Sequence, residues 1–273
     1  MKPPNPKSVA GRGGDLGRLL ATTGREGGAA VATAITALAG GRQHLRRLLR
    51  ERYPTVAVTG MTGVGKTALV DRISRHAATT GQADVGSAVL EKRRRTTTSL
   101  RGFRFRVVPG ENAATRLGAL DQVFHDEVVD GVLHVVANGY ATGRRVAGIS
   151  GAASIDREVQ LARELEDWTI TAHRIASMAV RRARPTWLVI AVTKVDLYPE
   201  EIESVVRAYS PGAGTPFAVK LDELRALAGA AKLSVDVLPV CAEGGKHSPI
   251  SAKQRDAYVA ALELRMAQLC GHR

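Results

Sequence analysis

The sequence predicts an α/β domain of three layers, in which a mostly parallel sheet is covered by helices on both faces. Short apolar runs alternate with amphipathic helical patterns along the chain, and a glycine-rich loop joins the first run to the first helix. The runs are apolar throughout instead of alternating with polar residues. Such strands are typical of parallel sheets that are buried on both faces.

The individual elements follow from the spacing of apolar residues. Strands are predicted at 55–59, 132–136, 187–192 and 235–240, with a hairpin at about 96–100 and 103–108. Helices are predicted at about 66–77, 156–183 and 251–269. Asp156 is the expected N-cap of the long helix. Residues 78–95 are predicted to form a loop.

The first 52 residues differ from the remainder in composition. Residues 1–28 are rich in Gly, Pro and Arg, which predicts a disordered basic tail. Residues 29–52 carry a helical pattern with a break at Gly40-Gly41, which predicts an N-terminal helical extension. This extension either packs against the domain or binds a partner. The α/β domain is predicted to run from residue 53 to residue 273.

The formal charge of +13 is concentrated in two segments. Residues 1–52 carry ten Lys and Arg against three acidic residues, and residues 92–106 carry seven against none. This pattern predicts an acidic partner such as RNA, an anionic membrane or an acidic protein. A solvated edge hairpin together with a charged tail is the alternative interpretation.

Cysteine content and hydropathy indicate a cytoplasmic protein. Cys241 and Cys270 provide neither a disulfide framework nor metal-ligand spacing. No secretory signal is recognisable, and the longest apolar stretch, 29–39, is too short to span a bilayer. The abundance of Ala, Gly and Arg suggests a GC-rich bacterial genome.

A phosphate-binding loop is predicted directly after the first strand. The segment has the spacing G-x-x-x-x-G-K-T, in which Lys66 can reach the β- and γ-phosphates and the Thr67 hydroxyl can bind Mg²⁺. A chance match is the alternative, but a strand before the loop and a helix after it argue against chance. The residues expected to bind the nucleotide here are Gly60, Thr62, Gly63, Val64, Gly65, Lys66, Thr67 and Ala68.

Two further segments follow later strands. Residues 193–196 read Thr-Lys-Val-Asp, and the Asp196 carboxylate can accept both the ring N–H and the exocyclic amine of guanine. The Lys194 stem can lie along the base. Residues 239–242 read Pro-Val-Cys-Ala, so Cys241 and Ala242 form a third loop at the end of a predicted strand.

The three segments, in this order, resemble the motifs of Ras-like and translation-factor-class P-loop small GTPases of the bacterial type. The resemblance covers about residues 53–270 and implies the three-layer P-loop NTPase fold. It assigns guanine recognition to Thr193, Lys194 and Asp196, and closure over the base to Cys241 and Ala242. It further implies binding of GTP or GDP with Mg²⁺, and a protein partner or activator.

The sequence departs from this family at the motif D-x-x-G. Val107 occupies the position of the metal-shell aspartate, while Gly110 keeps the position of the γ-phosphate sensor. Glu111 stands where Ras-like proteins have a water-orienting glutamine, and Thr62 where they have glycine. Lys66, Gly110 and Glu111 are thus the expected catalytic residues, with slow intrinsic hydrolysis. In a shifted alignment, Asp121, Asp126 or Asp130 would supply the carboxylate.

Other candidates are less specific. The family's switch threonine, a ligand of Mg²⁺, is assigned to Thr96 or Thr97, although a threonine-rich strand is an alternative. His134 is expected to be a core or edge histidine, and His125 lies in the predicted second switch without a role. The stretch 138–155 is either a lid or partner loop, or a plain flexible loop.

These observations predict a GTP-binding molecular switch whose hydrolysis of GTP is slow or stimulated by a partner. The alternative is a scaffold subunit that holds guanine nucleotide without hydrolysing it, which the valine at position 107 favours. A P-loop kinase or ATPase is a further alternative, and residues 193–196 argue against it.

Overall fold

The computed structural model of the protein describes residues 54–74, 91–94, 103–110, 113–142, 156–229, 231–244 and 248–271. All of them belong to the unit Arg52–Arg273. The predicted tail (1–28) and helical extension (29–52) lie outside the described residues, so both stay predictions.

Six strands of the described residues form one sheet with the order β2–β3–β1–β4–β5–β6. They are β1 (Thr55–Thr59), β2 (Glu91–Arg94), β3 (Arg104–Val107), β4 (Gly131–Val136), β5 (Thr186–Val192) and β6 (Leu233–Pro239). The edge strand β2 pairs antiparallel with β3, and the remaining pairs are parallel. The mostly parallel sheet predicted from the apolar runs is confirmed.

Helices cover both faces of this sheet. They are α1 (Lys66–Ser74), α2 (Ala113–Asp121), α3 (Arg157–Arg181), α4 (Ile202–Ala208), α5 (Pro216–Ala228) and α6 (Ala252–Leu269). Helix α2 continues into a π-helical turn at Gln122–Asp126, and a short 3₁₀ helix spans Val195–Leu197. The predicted three-layer P-loop NTPase arrangement is therefore the observed one.

The two faces of the sheet bury separate apolar clusters, because successive strand side chains point in opposite directions. Val56 and Val58 pack with α1 and α6, whereas Ala57 packs with α2, α3 and α5. The parallel strands end at one common edge, so the loops after β1, β3, β4, β5 and β6 meet there.

Helix caps fix two of the predicted boundaries. The Asp156 side chain accepts a hydrogen bond from the Glu158 backbone N at 3.3 Å, as expected for the N-cap of α3. Ser251 and Gln254 form a capping box at the start of α6. Within the part of the chain that the structure describes, no helix combines the length and apolarity that crossing a membrane requires.

The structure differs from the prediction around the first hairpin. Part of the predicted loop 78–95 is strand β2, which pairs with β3 in a register that places Arg94 opposite Arg104. The predicted strand 96–100 lies outside the described residues. Helices α2, α4 and α5 were not predicted; α2 and α4 have nine and seven residues, which is too short for a clear apolar period.

Candidate functional site

The loop between β1 and α1 has the backbone that a phosphate-binding loop requires. Gly60, Gly63 and Gly65 have φ values of 129°, 79° and 94°, which side-chain-bearing residues rarely adopt. Lys66 Nζ donates to the carbonyl oxygens of Gly60 at 2.6 Å and Met61 at 2.8 Å. The lysine head therefore folds back over the loop that precedes it, and its positive charge is held at the edge where the strands end.

The loop after β3 lies directly against the phosphate loop. A Cβ atom added to Gly110 would lie 2.5 Å from the Thr62 backbone N and 2.8 Å from Lys66 Nζ. A residue with a side chain cannot occupy this position without moving one loop or the other. The structure thus brings together Gly110, Thr62 and Lys66.

The loop after β5 is hydrogen-bonded to the phosphate loop from the other side. Thr193 Oγ1 donates to the carbonyl oxygens of Val64 at 2.7 Å and Val136 at 2.9 Å. Lys194 Nζ donates to the carbonyl oxygen of Gly63 at 2.8 Å. Lys194 itself has a left-handed backbone with φ 58°, a conformation uncommon for a residue with a side chain. These contacts fix the two loops relative to each other.

The loop after β6 contacts the predicted guanine-reading carboxylate. Cys241 Sγ lies 3.3 Å from Asp196 Oδ1 and 2.9 Å from the Glu243 carbonyl oxygen, so its single thiol proton is shared between these two acceptors. Burial, followed by the hydrogen bond to Asp196, raises the pKa of the Cys241 thiol to about 12. The thiol is therefore protonated near neutral pH and can orient the Asp196 carboxylate. Ala242 follows Cys241 and is half-buried.

The start of the predicted lid or partner loop, residues 138–142, follows β4 and crosses the phosphate loop. The Thr142 backbone N and Oγ1 donate to the Gly63 carbonyl oxygen at 3.1 and 3.2 Å. Lys194 Nζ also donates to the Tyr140 carbonyl oxygen at 2.8 Å. The position of this segment near the site was predictable, since residues 138–142 follow a predicted strand at its carboxyl end. Residues 143–155 of the predicted lid or partner loop lie outside the described residues.

Aromatic stacking and a buried carboxylate hold this segment in place. The Tyr140 ring stacks on Tyr198 with centroids 5.4 Å apart, and the Arg157 guanidinium lies 4.9 Å from the Tyr140 ring centroid. Glu164, from α3, accepts from the Ala137 backbone N at 2.8 Å and from the Tyr209 hydroxyl. Burial raises the pKa of Glu164 despite these two hydrogen bonds.

Among the residues that the structure describes, no carboxylate from the end of β3 reaches the site. Val107 is 2% exposed and packs in the apolar cluster shared with α1. The shifted alignment fails as well. Asp130 Oδ2 accepts from the Thr55 backbone N at 2.7 Å, which places it at the opposite edge of the sheet. Asp121 pairs with Arg174 at 3.0 Å, and Asp126 is exposed in the π-helical turn.

The described residues fit a nucleotide better than they fit a metal ion alone. The glycine loop, Lys66 and the Asp196 loop provide complementary groups for phosphates and a base. For Mg²⁺, the described residues provide only the Thr67 hydroxyl among the predicted ligands, and they contain no cluster of three metal-ligating side chains. The nucleotide and water would supply the other oxygen ligands. Thr96 and Glu111 lie outside the described residues, so their assignments stay predictions.

His134 is a fully buried core residue behind the phosphate loop. Its Nδ1 lies 2.9 Å from Thr59 Oγ1, while its Nε2 has no hydrogen-bond partner. Burial, and then the charges of Arg116 and Lys66, lower the pKa of His134 to about 3. His125 lies on the surface at the far end of α3, where Arg181 Nη1 is 2.6 Å from its Nδ1.

The low pKa of His134 predicts a pH-dependent stability. Because the unfolded chain protonates this imidazole at higher pH, the free energy of unfolding should fall between about pH 6.5 and pH 3, by about 1.4 kcal/mol per unit. Replacing His134 by Gln should flatten this slope in urea titrations at each pH. The matched control is His173→Gln at an exposed position of α3. Equal slopes in both variants and the wild type would contradict the prediction.

Comparisons with known proteins find only distant structural similarities. No protein-family model and no curated protein matches the chain. Similar solved structures include a GTP-binding protein from Sulfolobus solfataricus in complex with GDP, with 11% identity and a TM-score of 0.42 over 90% of this chain. Toc33 from Arabidopsis thaliana has 12% identity and a TM-score of 0.44, with 84% of this chain and 88% of Toc33 covered.

A third similar structure is the signal recognition particle receptor SRb-GTP/SRX complex from Chaetomium thermophilum. It has 13% identity and a TM-score of 0.48, with 71% of this chain and 96% of that chain covered. This chain spans only 61% of the length of the S. solfataricus protein. These similarities are too distant to assign a function, which has to be inferred from the site.

Proposed function

We propose that this chain is a guanine-nucleotide-binding switch. The observation that carries the proposal is the hydrogen bonding of the Thr193–Asp196 loop to the phosphate loop. Thr193 binds Val64 and Lys194 binds Gly63, so a carboxylate suited to guanine is held at a fixed distance from a loop suited to phosphates. A chance glycine-rich turn would not be expected to carry both groups in one arrangement.

Competition binding tests this proposal directly. Fluorescent GDP bound to the full chain with Mg²⁺ should be displaced by GDP and GTP at concentrations at least about tenfold below those needed for ADP and ATP, because adenine lacks both donors that Asp196 accepts. Displacement by ATP as readily as by GTP would favour the kinase or ATPase alternative. The absence of binding to either class of nucleotide would refute the site.

The apolar side chain of Val107 favours a protein that hydrolyses GTP slowly or not at all. Outer-shell carboxylates orient the first-shell ligands of metal sites, and this chain has an apolar side chain in that place. We propose that GTP hydrolysis depends on a protein activator. If it does not occur at all, the chain is the scaffold that retains nucleotide.

The rate of GTP hydrolysis tests the proposed effect of Val107. Single-turnover hydrolysis by the isolated protein should be slower than the roughly 10⁻⁴ s⁻¹ of unassisted Ras-like proteins. Val107→Asp should tighten Mg²⁺-dependent GTP binding, although a buried charge will also lower the free energy of unfolding. Val107→Asn, which is polar but uncharged, is the matched control. Turnover of many GTP molecules per minute by the wild type would contradict this prediction.

An acidic partner is proposed for the β2 edge of the sheet. The backbone register places Lys92 opposite Arg106 and Arg94 opposite Arg104, and the segment 92–106 carries seven basic residues against no acidic ones. Arg106 is already paired with Glu127, with Nε and Oε2 2.5 Å apart. An acidic surface would complement the remaining positive charge of this segment, and we place this encounter in the cytoplasm.

A double substitution tests the acidic partner. Replacing Lys92 and Arg94 by Ser should weaken binding to single-stranded RNA and to anionic vesicles and reduce its salt dependence by about two charges. Lys220→Ser together with Lys232→Ser, at exposed positions outside β2 and β3, is the matched control. Equal retention of both variants on RNA would show that the β2 edge is not the binding surface.

A further inference from the structure

Helix α3 carries two buried carboxylates that are held in different ways. Asp167 pairs with Arg116 from α2. Glu164 is 2% exposed, and its Oε2 accepts from the Ala137 backbone N at 2.8 Å while its Oε1 accepts from the Tyr209 hydroxyl. A buried charge that loses a donor is costly, so Glu164 restrains the positions of both of its donors.

The two donors suit the ionised form of Glu164. Burial raises the pKa of this carboxyl group, and the hydrogen bonds from Tyr209 and Ala137 act to lower it. Burial and the charge of Glu164 also raise the pKa of Tyr209, so the hydroxyl keeps its proton and can donate. A carboxylate only accepts hydrogen bonds, and here each of its oxygens faces a donor.

Ala137 is the first residue of a tight turn at the end of β4. The Tyr140 backbone N donates to the Ala137 carbonyl oxygen at 2.9 Å, which closes the turn 137–140. Its central residues, Asn138 and Gly139, have φ values of 51° and 76°, as in a type I′ turn, for which Asn-Gly is a preferred pair. Because the turn is short and hydrogen-bonded, the contact of Glu164 with its first residue also restrains Tyr140, its last.

Tyr140 contacts the loop that is predicted to bind the base. Its carbonyl oxygen accepts from Lys194 Nζ at 2.8 Å. Its ring stacks on Tyr198, whose hydroxyl donates to the Thr193 carbonyl oxygen at 2.6 Å. The turn 137–140 therefore supports the loop after β5 through a lysine head at one point and an aromatic pair at another.

Tyr209 connects the same carboxylate to the far side of that loop. It is the C-cap of α4, the helix that follows the Thr193–Asp196 loop, and its ring packs edge to face on Phe217 with centroids 4.7 Å apart. Glu164 is thus bonded both to the turn that precedes β5 and to the end of the helix that follows the loop after β5.

We infer that Glu164 is a positioning residue that holds the turn 137–140 against Lys194 and thereby sets the discrimination between guanine and adenine. The Tyr209 hydroxyl fixes the orientation of its carboxylate. The inference rests on the proposed guanine-nucleotide site and assigns no contact between Glu164 and the nucleotide. Asp196 supplies the acceptors for guanine, and Glu164 keeps the lysine that lies along the base in register with them.

The preference for GDP over ADP, taken as the ratio of their dissociation constants with Mg²⁺, tests the inference. Glu164→Leu leaves the Ala137 N–H unpaired, so the turn should shift and the ratio should fall by about threefold or more. The two nucleotides carry the same phosphates, and a loss of phosphate contacts therefore cancels in the ratio. Glu164→Gln should retain most of the wild-type ratio, because its amide can accept from Ala137 and donate to the Tyr209 oxygen.

Tyr209→Phe covers the case in which Glu164→Leu does not fold. It removes one oxygen atom and keeps the ring that packs on Phe217. The ratio should again fall by about threefold, because the Glu164 carboxylate loses one of its two anchors. Combining Tyr209→Phe with Glu164→Leu should lower the ratio no further than Glu164→Leu alone, since both changes break the same network.

The matched controls are Glu166→Leu, at an exposed position of α3, and Tyr258→Phe, at a half-buried position of α6. Both should keep the wild-type ratio. An unchanged ratio in Tyr209→Phe or in a folded Glu164→Leu would overturn the inference, as would an equal fall in the controls. A wild type that binds GDP no more tightly than ADP would instead refute the proposed function.

Discussion

Replacing Asp196 by Asn should convert the protein from a guanine-binding to a xanthine-binding one. The amide offers one acceptor where the carboxylate offered two, so a donor of guanine stays unpaired at a cost of about 1–3 kcal/mol, or roughly 10- to 100-fold in affinity. Xanthine carries a carbonyl group in place of the exocyclic amine, and an amide N–H can donate to it.

Cys241 favours one orientation of the new amide. Its thiol can donate to an oxygen at the Oδ1 position, 3.3 Å away, but not to an amide nitrogen, so we expect the amide oxygen of Asn at that position and Nδ2 toward the base. Competition by xanthosine and guanosine diphosphates measures the exchange of specificity. Asp126→Asn, at an exposed position of the π-helical turn, is the control. Unchanged GDP affinity in Asp196→Asn would show that this loop does not recognise the base.

Replacing Lys66 by Ala should abolish detectable triphosphate binding. Hydrogen bonds to charged groups contribute about 1.5–3 kcal/mol each, so losing contacts to two phosphates costs roughly 100-fold or more in affinity. The variant also loses the two donors that bind the Gly60 and Met61 carbonyl oxygens, which should lower its melting temperature slightly.

Circular dichroism and nucleotide titration separate the two effects of this substitution. A folded Lys66→Ala variant that binds GTP as tightly as the wild type would show that the phosphate loop is wrongly assigned. Lys220→Ala is the matched control, because this lysine forms an exposed pair with Glu223 on α5. It should leave both affinity and fold unchanged.

The sequence predicts the central strands well because burial on both faces leaves uninterrupted apolar runs. Strands β1, β4, β5 and β6 and helices α3 and α6 lie within a few residues of the predicted bounds. Strand β2 was not predicted, because Glu-Lys-Arg-Arg has no apolar pattern. It forms a strand by pairing with β3. Helix α5 had a readable start, the N-cap Thr215 followed by Pro216.

The site residues were predictable where a motif directly follows a strand. Its loops meet because parallel strands bring their carboxyl ends to one edge, so Lys66, Thr193 and Cys241 could be grouped from the sequence. The specific partners, the Gly63 carbonyl oxygen for Thr142 and Asp167 for Arg116, were not predictable. Periodicity tells which face of a helix is buried, but not which residue of a distant element it meets.

Lys194, with its left-handed backbone, connects three loops. Its Nζ donates from the loop after β5 to the Gly63 carbonyl oxygen in the loop after β1 and to the Tyr140 carbonyl oxygen in the loop after β4. The entropy of ordering those loops is consequently lost when the chain folds and not when a ligand arrives. We therefore expect the loops that contact the base and the β-phosphate to be preorganised. The rate of nucleotide association should then be set by diffusion and charge.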